Sequence, residues 1–73
     1  MRIKMLPVNS VAIKSIGYLA DSGRLGVRFY NGKRYTFINV PEKTANEFFN
    51  AASVGAYFVK NIKNKFTLLR KDL

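Results

Sequence analysis

The stretch Gly23-Arg-Leu-Gly-Val-Arg-Phe-Tyr-Asn-Gly-Lys-Arg-Tyr-Thr-Phe-Ile-Asn-Val-Pro41 holds two alternating apolar and polar runs around Asn31-Gly32. Such a pattern reads as a β-hairpin. Its loop length decides where every side chain points, because a one-residue slip exchanges the two faces. A two-residue loop at Asn31-Gly32 pairs Tyr30 with Lys33 and puts Tyr35 and Phe37 on the face opposite Leu25, Val27 and Phe29. A three-residue loop, with Gly32 left-handed, pairs Phe29 with Lys33 and gathers all five apolar groups on one face. Each fully buried side chain of this size contributes about 1.5–3 kcal/mol. A chain of 73 residues has too thin a core to split them. The three-residue register is therefore expected, leaving Gly26, Arg28, Tyr30, Arg34, Thr36 and Ile38 on the open face.

Upstream, Ser10–Ala20 reads as a further strand. Ile13 and Ile16 are three apart and cannot share one face of a regular strand, so a bulge is expected near Lys14–Ser15. Asp21-Ser-Gly23 is a turn, with Gly23 supplying a positive φ. Ile3 and Met5 alternate with Arg2 and Lys4 as in a short edge strand, which Pro7 is expected to end. Downstream the period changes. Pro41 suits a first helical position and Glu42 the first turn, and Ala45, Phe48, Phe49 and Ala52 recur at helical spacing. Ser53 is placed to stop this helix and cap a second. That one turns Tyr57, Phe58 and Ile62 inward and Lys60, Lys63 and Asn64 outward, with Gly55 allowing close backbone approach. Phe66 is an anchor just beyond this second helix. The tail 67–73, docked only by Leu68 and Leu69, is expected to fray. The predicted fold is one α+β domain over 1–73: a three-stranded antiparallel meander followed by two short helices packed on one face, β-β-β-α-α.

Thirteen Lys and Arg stand against four Asp and Glu, a net charge of +9. That imbalance suits a polyanionic partner, while an AT-rich codon bias explains the lysines equally well, though not the five arginines or the few acids. The basic residues are spread over strands and helices alike, which disfavours a membrane-surface helix. No segment is apolar and long enough for a signal peptide or a membrane span, and there is no cysteine. A reducing, cytoplasmic setting is expected.

Chemistry is poorly provided for. Without histidine or cysteine the commonest general base and the thiol nucleophile are both missing. The acids Asp21, Glu42, Glu47 and Asp72 fall on a turn, one helix and the tail, and form no pair for acid–base work or hard-metal binding. The chain is expected to be no enzyme and to need no cofactor or metal.

The joint spacing Ser10-x-x-Ile13-x-x-Ile16-Gly-Tyr18, Leu25-x-Val-x-Phe29-x-x-Gly32-x-x-Tyr35-x-Phe37-x-x-Val40-Pro41 and Ala52-Ser-x-Gly55-x-Tyr-Phe58-x-x-x-Ile62-x-x-x-Phe66 resembles the KTSC domain family. That family is named for a C-terminal appendage of some lysyl-tRNA synthetases and also occurs as small stand-alone bacterial and phage proteins. The resemblance covers about residues 8–66. Two departures are mild: Tyr35-Thr-Phe37 stands where the family has Tyr-x-Tyr, and the acid that often follows the Gly-Tyr pair is displaced to Asp21. The resemblance implies RNA binding through the synthetase association, a fold-level analogy.

Two surfaces are candidates for a nucleic-acid partner, with RNA favoured. One is the open sheet face, Arg28, Tyr30 and Arg34, where bases stack on aromatic and guanidinium planes. The same residues also suit an ordinary solvated sheet face, and with a single aromatic on offer that plainer reading holds the advantage. The other is the C-terminal basic run Lys60, Lys63 and Lys65, continued by Arg70 and Lys71, suited to phosphates. A solvated helix back explains that run equally well. Tyr35 and Phe37 are assigned to the core. A protein-interaction module stays open as the alternative: a phage-encoded modulator binding an acidic host protein, or a homodimer paired through an edge strand.

Overall fold

In a computed structural model the backbone is described over residues 5–72 and the side chains over residues 5–69. The strands are β1 (Leu6–Pro7), β2 (Ile13–Leu19), β3 (Arg24–Phe29), β4 (Arg34–Ile38) and β5 (Thr67–Asp72). Between β4 and β5 lie α1 (Glu42–Phe49) and α2 (Val54–Tyr57), the latter continuing as a π-helical segment over Phe58–Ile62. All five strands form one antiparallel sheet in the order β1-β2-β3-β4-β5.

The hairpin adopts the three-residue register. The Phe29 N–H donates to Lys33 O at 2.9 Å, and Gly32 has φ 91°. Val27 lies opposite Tyr35 and Leu25 opposite Phe37. The bulge in β2 falls at Lys14: Ile13 pairs with Phe29 and Ser15 with Arg28, so one residue is skipped. That extra residue returns both Ile13 and Ile16 to the core face, where each is fully buried.

On that face Ile13, Ile16, Leu25, Val27 and Phe37 meet Ala45, Phe48, Val54, Phe58 and Ile62 from the helices. Phe48 stacks on Tyr57 with centroids 5.6 Å apart, and Phe58 meets Phe29 edge-on at 5.3 Å. The Tyr18 hydroxyl donates to Val40 O at 2.5 Å, tying β2 to the junction before α1. Ser53 caps α2 as expected, its Oγ accepting from the Ala56 N–H.

Several expectations are corrected. The sheet has five strands, not three. Pro7 lies within β1 instead of ending a strand before it; a proline is tolerated on a sheet edge, where its missing N–H breaks no ladder. Arg2, Ile3 and Lys4 lie outside the described residues. The tail does not fray: Thr67–Asp72 pairs with β4. Pro41 is the N-cap of α1, one position before its first helical residue, and α1 ends at Asn50, before Ser53. Gly55 is not pressed by backbone, since a Cβ there would meet only Ser10 Oγ, at 3.8 Å. Among the described residues, no helix is long and apolar enough to cross a membrane.

Gly23 is a position where glycine is needed. Its φ is 68°, and a Cβ would lie 3.4 Å from Val40 O, the residue whose N–H donates to Gly23 O. The left-handed conformation alone costs a side-chain-bearing residue about 1–2 kcal/mol. Gly23→Ala is expected to lower the melting temperature by about 5–15 °C. Gly32→Ala, at φ 91° with no atom within 4 Å of its Cβ, bears at least as much backbone strain and should fall by a similar amount. Circular dichroism melts of the two variants check this, and a variant that keeps the native melting temperature would show that its position does not need glycine.

Candidate nucleic-acid interface

Arg28 and Arg34 lie directly opposite one another across β3 and β4, both exposed, on the sheet face away from the helices. Directly paired residues of this kind bring their Cβ atoms to about 4.5–5.5 Å, and like charges so placed repel. On its other side Arg34 stands opposite Asp72 in the β5 ladder. The neighbouring rung aligns Gly17, Gly26 and Thr36. Gly17, Gly26 and Ser15 are buried, so the face offers guanidinium groups at its rim and no aromatic platform at its centre. Tyr30 is 60% exposed and sits at the hairpin tip, its N–H donating to Ala12 O at 3.1 Å.

Lys60, Lys63 and Lys65 are all exposed. Lys60 lies in the π segment; Lys63 caps its end, with its N–H donating to Phe58 O at 2.8 Å. Lys65 follows Asn64, whose left-handed φ of 64° turns the chain toward β5. These lysines do not join Arg28 and Arg34. The sheet separates the two groups, with Arg28 and Arg34 behind it and Lys63 on the helix side.

What Lys63 joins is Lys33. Both line a cavity of about 270 Å³ walled by Phe29, Tyr35 and Phe58, with Gly55 at its side. A second cavity of about 220 Å³ shares Tyr35, Phe58 and Lys63 and extends to Phe66 and Leu68. The walls are held by their own packing. Phe29 meets Tyr35 at 5.4 Å, and Phe37 meets Phe58 at 6.0 Å. Lys33 was implied by the hairpin register, since a residue opposite Phe29 shares its apolar face. The long apolar stem of a lysine suits such an aromatic wall, with the charged head left to water.

Two tyrosines have perturbed hydroxyls. Burial pushes the Tyr18 phenol upward, and the Glu42 carboxylate adds to it. Burial does the same at Tyr57, reinforced by Glu47, which accepts its hydroxyl at 2.9 Å. Both shifts favour the neutral phenol, and both groups tie structural elements together. Among the described residues no three His, Cys, Asp or Glu are grouped so as to hold a metal ion.

The KTSC domain model matches residues 9–66. The fold is similar to the crystal structure of a KTSC domain protein from Yersinia pestis. That chain is 37% identical, and the match covers 99% of this chain and 100% of the other with a TM-score of 0.89. A comparison with curated proteins finds no match. The sequence match over most of the chain and the close structural similarity place this chain in the KTSC domain family.

Proposed function

We propose that this domain is a small, non-enzymatic, cytoplasmic module that binds nucleic acid, RNA in particular, through its basic surface. The observation that carries the reading is the Arg28–Arg34 pair, two cations held opposite each other on a chain of net charge +9. Asp72 stands opposite Arg34 alone, and a phosphate seated between the two guanidinium groups offsets the repulsion of the pair. Lys33 and Lys63 form a second basic cluster, on the helix side of the sheet, where both line one cavity. Lys60 and Lys65 continue it along the end of the π segment. The family's link with lysyl-tRNA synthetases favours RNA over DNA.

The test is a titration of fluorescent single-stranded RNA at several salt concentrations. Each neutralised phosphate steepens the fall of log K with log salt by about 0.7 for a single strand. The native protein should bind at low salt, and Arg28→Ala with Arg34→Ala should flatten the slope by about 1.4. Absence of binding at low salt overturns the reading.

One observation favours a protein partner as the second reading. β5 is an edge strand, with Leu68 44% and Leu69 49% exposed. Such an edge is open to pairing with another chain. A partner, or self-association by light scattering, that survives nuclease and moderate salt would support this reading over the first.

A further inference from the structure

We infer that the cavity between the hairpin and the π segment is a pocket for one unpaired nucleobase of a bound single strand. This inference rests on the nucleic-acid reading and gives it a site. Two observations converge on the cavity. Its walls are the rings of Phe29, Tyr35 and Phe58, and its charged lining is Lys33 and Lys63. Its volume, about 270 Å³, lies just below the usual range of small-molecule sites, about 300–1,000 Å³. There is room for one flat ring system, while the sugar and phosphate stay outside against the two ammonium groups.

The second observation is the π segment itself. Such irregular turns recur at functional sites. Here Phe58 is buried as a wall, while Val59, 62% exposed, and Lys63 line the same cavity.

An apolar wall with two cations fits an aromatic ring carried on an anionic backbone. Stacking between bases and aromatic side chains is sequence-tolerant, so the pocket selects an unpaired base without dictating which one. A duplex, whose bases are paired and stacked, cannot enter it.

The experiment compares two labelled RNA nonamers of equal charge at low salt, one of mixed sequence and one with abasic sugars throughout. The native protein should bind the base-bearing strand at least about fivefold more tightly. Tyr35→Leu takes one half-buried ring out of the cavity's wall while keeping apolar bulk there, and its melt checks that it stays folded. It should erase that preference while leaving the salt slope unchanged. Equal binding of both strands by the native protein overturns the pocket and leaves the nucleic-acid reading standing; binding of neither strand overturns both. A folded Tyr35→Leu that keeps the full preference also overturns it. So does an acidic peptide, or a free nucleoside monophosphate, that binds as tightly as the base-bearing strand.

Discussion

Phe48→Ala is expected to lower the melting temperature by more than about 15 °C, with the protein close to unfolded at body temperature. Phe48 is fully buried in α1, stacked on Tyr57 at 5.6 Å and tilted against Phe58 at 6.3 Å. Truncating a buried phenylalanine costs about 3–5 kcal/mol, part of it from the cavity left behind. That cavity cannot close easily, because its walls belong to a hydrogen-bonded sheet on one side and the α2–π segment on the other. A domain of this length has a total stability on the order of 4–11 kcal/mol. Each kcal/mol lost lowers the midpoint by about 4–8 °C. Phe49→Ala serves as the control, since Phe49 is only half-buried on the same helix. It should shift the melt by less than half as much. Near-equal shifts would mean that α1 does not seat on the sheet through Phe48.

The parts of this fold that were legible in the sequence are those where two rules agree. The hairpin register follows because Asn31-Gly32 marks the turn and the burial of five apolar side chains selects the three-residue loop over the two-residue one. The bulge at Lys14 follows because Ile13 and Ile16 cannot otherwise both be buried. β5 carries no such agreement. Leu68 and Leu69 are adjacent, so regular alternation sends them to opposite faces, and the run reads as tail. The structure resolves the conflict with a second bulge: Thr36 pairs with Arg70 and Phe37 with Leu68, leaving Leu69 between rungs. β1 has two residues, one a proline, too few for any periodicity. The π segment was illegible for a different reason. Phe58 and Ile62 are four apart and are buried equally well by an α-helix, so the pattern cannot separate the two windings.

The candidate site divides along the same line. Pairing Arg28 with Arg34 was implicit in the register, as was Lys33 beside Phe29. The meeting of Lys33 with Lys63 was not, because it depends on where the π segment sets its last turn against the sheet.

Deleting residues 67–73 is expected to lower the melting temperature by at least about 12 °C. Without β5, the strand Arg34–Ile38 becomes the sheet edge, and the backbone groups that it pairs with β5 lose their partners. Each such hydrogen bond contributes about 0.5–1.5 kcal/mol net, so losing the ladder costs on the order of 3 kcal/mol. Phe37, 4% exposed, also loses Leu68 beside it. A frayed tail would predict the contrary, with no measurable change in the melt. Net self-repulsion cannot produce the expected drop, and Asp72→Asn measures separately the loss of the carboxylate opposite Arg34. The deletion removes Arg70, Lys71 and Asp72, lowering the net charge by one on a chain at +9, which eases self-repulsion and acts to stabilise. A fall in the melting temperature therefore reports the ladder, and hydrogen exchange should show newly exposed amides in β4 with β2 and β3 still protected.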